Sequence, residues 1–301
     1  MKTVSRACLV AGAVLMGQLA LTGAENARLK HLTSVYFDDK AVGLNLPEGI
    51  ACGANGQVVV GDTGNDRLMR FTYGDNKVSG QSVIKIPQLG APSRIQLTAK
   101  GEIYALDGRQ RRLVHLGAGG EFKEVLAFAG VPAPATIVPK DFTIDSADNI
   151  YVLDVFSARV IVLGPQGQFQ KAVPLPRDIG FGAGLAVDAV GKLFLLDSIE
   201  RRVFTAEKGA GSFTALAGNL PQSLAGLPTY VTTRKGVIFV VEASGSIVAF
   251  GQDGSFLSRQ LGTGREEGQL DYPSQTCVND RDEVFVADRD NSRVQVFRLM
   301  R

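Results

Sequence analysis

Short apolar runs that end in an acidic residue recur at a regular interval along the chain. Each run is rich in β-forming residues, follows a shorter strand-like segment and precedes a turn that opens another apolar run. The acids are separated by 45, 47, 43, 45 and 46 residues, and they are Asp62, Asp107, Asp154, Asp197, Glu242 and Asp288. Four short strands in each repeat of about 45 residues are typical of the blades of a β-propeller.

The pattern therefore predicts an all-β fold, a six-bladed β-propeller of four-stranded blades that forms one domain over residues 25–301. The last repeat ends after its third strand at Arg301. We expect residues 31–37 to supply the missing fourth strand, so that the N-terminal strand completes the last blade and closes the ring. Closure of this kind leaves only short outer edges exposed.

An arginine follows five of the six acids at a spacing of five residues. A carboxylate at the end of a strand can accept backbone N–H groups of the next turn, and the arginine can reach back to it. Because the pair recurs in nearly every repeat, we interpret it as structural. Glu242 lacks this arginine and precedes a shorter turn, so we expect blade five to have the weakest turn. The pairs are Asp62 and Arg67, Asp107 and Arg112, Asp154 and Arg159, Asp197 and Arg202, and Asp288 and Arg293.

The first 24 residues have the pattern of a cleaved export signal. Lys2 and Arg6 precede an apolar stretch over residues 7–21, and Thr22 and Ala24 are small residues before a cleavage point at Glu25. The apolar stretch is short for a membrane span. We therefore predict an exported protein, periplasmic or extracellular, with no membrane span after signal cleavage.

Removal of this leader changes the charge of the protein. The whole chain has 32 basic and 30 acidic residues, and the excess of two corresponds to Lys2 and Arg6. The remaining chain is formally neutral and contains no Trp. A neutral, aromatic-poor chain does not favour nucleic acid as a partner.

Several of these elements resemble the repeat of the NHL family. The P-x-G-I-A segment at 47–51 is one of them, and Asp288, Asn291, Arg293 and Phe297 are another. The resemblance extends over residues 31–301 and implies the six-bladed fold. It implies several functions, since NHL propellers include protein-binding and RNA-binding modules, kinase sensor domains and an amidating lyase. Related six-bladed folds include lactonases, so the fold alone does not assign a function.

The first strand of each repeat marks a candidate ligand site at the mouth of the central channel. Two residues after the Pro, the NHL pattern prefers Gly, but four repeats have a larger polar residue. These side chains either fill and hydrate the channel or contact a ligand, and both interpretations stay open. The four residues are Arg94, Asp141, Tyr230 and Gln275, and Glu48 is an acid beside the same column.

The residues offer little support for an enzyme. A zinc lyase commonly uses several His ligands, whereas His31 and His115 are the only two histidines and are assigned to an outer strand and a third strand. Glu48 and Asp141 are the best acids for a hard cation, but no Asn near the strand mouths completes such a set. We predict no catalytic residue, metal or cofactor. The alternative is a metal-dependent, lactonase-like hydrolase or a lyase.

A protein or peptide partner is the preferred expectation. The connections 128–139 and 216–228 are long and apolar, and exposed apolar loops are typical of contact surfaces. We therefore predict an exported binding or scaffold module that recognises a protein, peptide or envelope component on its channel-mouth face. The oligomeric state stays open.

Two cysteines remain after removal of the leader, and both lie in predicted first strands. Cys52 belongs to blade one and Cys277 to blade six, which are neighbours where the ring closes. They point to opposite faces of their sheets, as a bridge between blades requires. Two buried free thiols are the preferred interpretation, and a disulfide in an oxidising compartment is the alternative.

Overall fold

A computed structural model describes residues 28–218 and 220–300. The predicted export signal, residues 1–24, lies outside the described residues. Six antiparallel sheets of four strands each account for all the strands of the described chain, which confirms the predicted six-bladed propeller. The only α-helix in these residues, α1 (Leu220–Ser223), has a single turn. No helix of the described ranges is long and apolar enough to cross a membrane.

The strands follow one another from the channel outward in each blade. Blade one contains β2 (Gly49–Cys52), β3 (Gln57–Asp62), β4 (Arg67–Gly74) and β5 (Lys77–Ile84). Blade two contains β6 (Pro92–Leu97), β7 (Ile103–Asp107), β8 (Arg112–Leu116) and β9 (Phe122–Val125). Blade three contains β10 (Pro139–Ile144), β11 (Ile150–Asp154), β12 (Arg159–Leu163) and β13 (Phe169–Pro174). Blade four contains β14 (Gly182–Val187), β15 (Leu193–Asp197), β16 (Arg202–Ala206) and β17 (Thr214–Ala215). Blade five contains β18 (Pro228–Arg234), β19 (Val237–Glu242), β20 (Ser246–Gly251) and β21 (Phe256–Leu261). Blade six contains β22 (Pro273–Val278), β23 (Glu283–Asp288), β24 (Arg293–Met300) and, as its outer strand, β1 (Arg28–Val35).

The ring closes through the N-terminal strand, as predicted. β1 pairs antiparallel with β24, from Arg28 opposite Met300 to Val35 opposite Val294. The strand begins three residues earlier and ends two residues earlier than the predicted segment 31–37. Because β1 leads through residues 36–48 into blade one, the same segment joins the last blade to the first.

Apolar side chains fill the spaces between the blades. The buried residues form six clusters, one between each pair of neighbouring blades, because strands with both faces buried carry continuous apolar runs. The inner strands approach each other closely around the channel. At Gly49, for example, a Cβ atom would lie 2.7 Å from the Ile95 side chain, so that position excludes a larger residue unless Ile95 moves.

The repeated acid and arginine pairs hold the turns between the second and third strands. All five aspartates are fully buried, and each has an arginine partner five residues later. Asp288 also accepts the Asp271 N–H at 2.7 Å and a bond from Gln295 at 3.0 Å. One carboxylate therefore fixes both its own turn and the preceding loop.

Blade five contains a substitute for the missing arginine. Glu242 is fully buried, and its carboxylate pairs with Arg259, which lies on the outer strand β21. Glu242 also accepts the Gly226 N–H at 2.6 Å. The extra methylene of Glu lets the carboxylate reach a partner outside the turn. Glu242 thus has an arginine partner from outside the turn, and the weakest turn in blade five stays a prediction.

The five pairs differ in burial, and this predicts different costs for their loss. The Arg293 side chain is 3% exposed and lies 2.6 Å from Asp288, whereas that of Arg112 is 30% exposed and 3.8 Å from Asp107. We expect Arg293→Ala to lower the free energy of unfolding by about 3–5 kcal/mol, since it leaves a buried carboxylate unpaired. The matched Arg112→Ala should cost less, because water reaches this arginine and the buried Asp107 carboxylate keeps three backbone N–H donors. Urea denaturation of both variants measures the difference, and equal losses would contradict it.

A disulfide joins the two blades at the seam of the ring. Cys52 on β2 and Cys277 on β22 are bonded, with their Cα atoms 5.9 Å apart. Of the two alternatives, the structure thus has the bridge, and the preferred interpretation of two free thiols is not the arrangement seen. The seam is closed twice, by the disulfide at the inner strands and by β1 at the outer edge.

Candidate ligand-binding site

Polar side chains and backbone groups from several blades meet inside the channel. Gln275 accepts the N–H groups of Ile50 at 3.0 Å and of Ile95 at 2.9 Å. It donates to the Ile95 carbonyl at 2.8 Å and to the Tyr230 hydroxyl at 3.2 Å. All four hydrogen-bonding capacities of this amide are therefore used within the protein.

A buried acid and base complete this channel network. Asp141 accepts the N–H groups of Phe142 at 2.9 Å and Leu185 at 2.8 Å, and it lies 3.6 Å from Arg94. Burial raises the pKa of the Asp141 carboxyl to about 6, against the opposing effects of Arg94 and the two backbone donors. Arg94 also donates to Ser274 at 3.0 Å and stacks over the Tyr230 ring at 5.5 Å.

The predicted column of polar residues therefore lies inside the channel, largely away from solvent. Arg94, Asp141, Tyr230 and Gln275 are all buried. Their contacts with each other and with neighbouring backbone are those expected of a channel filling. Arg94 alone of these four lines the open cavity above them.

That cavity, here called the mouth cavity, has a volume of about 370 Å³ and lies over the channel. The residue immediately after the Pro of each first strand lines it, with Ala183 after Gly182 in blade four. All six blades contribute, so one column of the repeat forms a ring around the cavity. The six residues are Glu48, Ser93, Lys140, Ala183, Thr229 and Ser274.

The sequence prediction included only Glu48 from this ring, because it considered the position two residues after the Pro. The position one residue after the Pro would have identified the other ring residues. Register irregularities recur at the mouth of the first strand in blades two to six, between Pro139 and Asp141 for example. They accompany the change in direction by which one residue lines the mouth and the next enters the channel.

The ring contains one acid and one base among small residues. Glu48 pairs with Arg289 at 2.9 Å, and the Arg289 guanidinium also lies over the Tyr272 ring at 5.4 Å. Lys140 lies over the Phe181 ring, 5.9 Å from its centre. Burial lowers the pKa of Lys140, and Arg94 lowers it further, while Asp141 and Glu48 act in the opposite direction.

Neither histidine belongs to the mouth cavity. His115, on the third strand of blade two, stacks on Tyr104 at 4.1 Å and lies 3.0 Å from Glu102. His31, on the outer strand β1, lies 3.0 Å from the Ser34 hydroxyl. Across the described ranges, no group of three or more His, Cys, Asp or Glu residues is arranged to hold a metal ion.

The two long apolar connections pack largely on the propeller itself. Leu220 and Leu224 are buried in the core between blades four and five. Phe128, Val131 and Ile137 pack against the core between blades two and three. The apolar character of these segments is thus mainly explained by packing within the chain, which sequence reasoning did not anticipate.

A family comparison agrees with this architecture. The NHL repeat model matches residues 270–297, which include β22 and β23 and most of β24. The chain is a six-bladed β-propeller with an NHL repeat in its last blade. The chain is 37% identical over 75 residues to protein lin-41 of Caenorhabditis elegans, a match that covers 25% of the chain but only 6% of lin-41.

Solved structures similar to this propeller belong to different functional classes. A gluconolactonase from Xanthomonas campestris has a TM-score of 0.63 at 17% identity, covering 91% of this chain and 90% of its own. Virginiamycin B lyase from Staphylococcus aureus, solved with quinupristin, has a TM-score of 0.63 at 14% identity, with 91% and 100% coverage. A chain of the nidogen/laminin complex has a TM-score of 0.58 at 18% identity, with 72% and 80% coverage. At these identities the likeness concerns the fold alone.

Proposed function

We propose that this NHL propeller is a binding module that recognises a protein or peptide partner on its channel-mouth face. The observation that carries the proposal is the distribution of exposed apolar side chains. Of fourteen exposed large hydrophobic residues in the described chain, nine lie on the loops of this face. They are Tyr36, Phe37, Val42, Leu46, Phe156, Phe181, Ile199, Leu227 and Tyr272.

This distribution matches the anatomy of a protein interface. Three of the nine, Phe181, Leu227 and Tyr272, line the mouth cavity itself. Phe156 and Ile199 are 61% and 62% exposed on turns between second and third strands. Exposed apolar and aromatic groups around a concave polar centre are typical of surfaces that bind another protein. The nidogen/laminin complex is a protein assembly that contains a propeller of this fold, which supports the same proposal.

The alternative is a lactonase-like hydrolase or a lyase, since gluconolactonase and virginiamycin B lyase have the same fold. The acids that such chemistry would use are both engaged. Glu48 faces Arg289, and Asp141 is buried beside Arg94 under two backbone N–H donors. The geometry therefore favours binding over hydrolysis.

Site-specific crosslinking tests the proposed face. A photoreactive phenylalanine analogue replaces Phe156 on the mouth face or, as a control, Phe256, which is 50% exposed on the outer strand β21. We expect a discrete adduct from an envelope extract of the producing cell at position 156 and none at position 256.

Matched substitutions assign that adduct to the apolar surface. Ile199→Asp should abolish it, whereas Val190→Asp, at a 70% exposed residue on the opposite face, should leave it unchanged. Equal adducts at positions 156 and 256 would contradict the proposal. Absence of an adduct together with turnover of lactones or esters would favour the enzyme.

Export of the protein is a separate proposal. It rests on the leader-like pattern of residues 1–24 and is compatible with a disulfide, because such bonds persist in oxidising compartments. N-terminal sequencing of the protein purified from its native source should begin at Glu25. Recovery of Met1 would contradict cleavage.

A further inference from the structure

Of the basic groups that line the mouth cavity, one forms no ion pair with any described residue. Three basic residues line it, namely Arg94, Lys140 and Arg289. Arg289 forms an ion pair with Glu48 at 2.9 Å, and Arg94 lies 3.6 Å from Asp141. Among the described residues, no acid lies within ion-pair distance of the Lys140 ammonium, and no hydrogen-bond acceptor is assigned to it.

The surroundings of Lys140 make this charge costly. The side chain is half-buried, and the Phe181 ring, 5.9 Å from the ammonium, offsets only part of the lost hydration through a cation–π contact. Burial and the nearby Arg94 lower the pKa of Lys140, against the opposing effects of Asp141 and Glu48. A half-buried cation without a partner is normally avoided, because desolvation disfavours its charged form. An anion in the cavity would reverse this effect.

The rest of the ring leaves room for such an anion. Ser93, Ala183, Thr229 and Ser274 are small, and three of them carry hydroxyl groups. Lys140 also lines a second cavity, together with Glu48 and Ser93. A ligand can therefore approach the charge from the mouth face without displacing the channel network below.

The charges around Lys140 indicate the kind of anion. Arg94 faces Asp141, and Arg289 faces both Glu48 and Asp290, which leaves Lys140 as the cation of the cavity without an ion-pair partner among the described residues. A single carboxylate supplies one negative charge, whereas a phosphate group supplies nearly two and would lie close to the Glu48 and Asp141 carboxylates. We infer that Lys140 binds one carboxylate of the partner, which is inserted into the mouth cavity and belongs to an Asp or Glu side chain or to a chain terminus. This inference rests on the proposed function.

The inference can be tested with small probes and without the partner. The probes are N-acetyl-glutamate amide, with one carboxylate, its neutral glutamine counterpart, and inorganic phosphate. Limiting acetylation of the intact protein, followed by peptide mass spectrometry, reports the reactivity of each lysine. Lys100, exposed on a hairpin of the opposite face, serves as an internal reference.

We expect the glutamate probe at millimolar concentration to slow the acetylation of Lys140 several-fold while Lys100 is unchanged. The glutamine probe should have no effect, and phosphate should protect less than the glutamate probe. In ligand-observed NMR, Lys140→Gln should weaken binding of the glutamate probe about tenfold, the loss expected for a hydrogen bond to a charged group. Lys100→Gln should not.

Three results would overturn the inference: no protection of Lys140, equal protection by the glutamine probe, or stronger protection by phosphate. These results are distinguishable from failure of the proposed function. An adduct at position 156 without protection of Lys140 would leave the protein-binding face standing and remove the carboxylate site. Protection of Lys140 without an adduct at position 156 would leave the carboxylate site standing and remove the protein-binding face.

Discussion

Deletion of residues 25–40 is expected to unfold most of the propeller rather than trim one edge. The deletion removes β1, whose Leu29, Leu32 and Val35 pack into the cores on both sides of blade six. Burial of each such side chain stabilises by about 1.5–3 kcal/mol. The deletion also removes Asp38, which pairs with Arg67 at 2.7 Å. A total loss above about 5 kcal/mol is comparable with the whole stability of many proteins.

A circular permutant tests whether the lost stability comes from the missing fourth strand of the last blade. Because Arg28 lies opposite Met300, residues 28–40 can follow Met300 through an Asn-Gly turn. The permutant restores the four-stranded last blade, so urea denaturation should return most of the stability that the deletion removes. A deletion variant with the midpoint of the wild type would show that β1 does not close the ring.

Replacement of the seam disulfide by two serines should give the second large loss. Cys52 and Cys277 are 225 residues apart in sequence, so their bond restricts most of the unfolded chain. The chain-entropy treatment of so long a loop gives about 5 kcal/mol. Guanidinium denaturation of the double Ser variant measures this, and wild type in excess reductant should reach the same midpoint.

Thiol titration supplies the control for the disulfide. In denaturant without reductant, the protein beginning at residue 25 should show no free thiol, and after reduction it should show two. Two free thiols before reduction, or a Ser variant as stable as the wild type, would contradict the bridge.

The fold could be predicted because its determinants are local and repeated. The runs that end at Asp62 and its counterparts mark the second strands, and the arginines five residues later mark the third strands. Each pairing depends on neighbours in sequence, so the period of the repeat carries the information. The closure by the N-terminal strand could be predicted by elimination, since only the last repeat lacked a fourth strand.

The site was harder to predict from the sequence because its contacts cross the ring. Gln275 bonds to Ile95, which is 180 residues away, and no local spacing indicates such a pair. Arg259 reaches Glu242 from the outer strand, outside the five-residue spacing that predicts the other pairs. Lys140 stands beside a residue that the sequence did single out, Asp141, but strand alternation alone does not show which of the two faces the mouth.

The double closure of the seam also determines how the molecule carries mechanical load. Arg28 and Met300 lie side by side on antiparallel strands, so a force that separates them breaks the hydrogen bonds of β1 one after another. Once β1 has peeled away, tension passes through the Cys52–Cys277 bond and bypasses the chain between them. Only residues 28–52 and 277–300 can then extend. Blades two to five and the outer strands of blade one lie inside the covalent loop and are shielded from the pull.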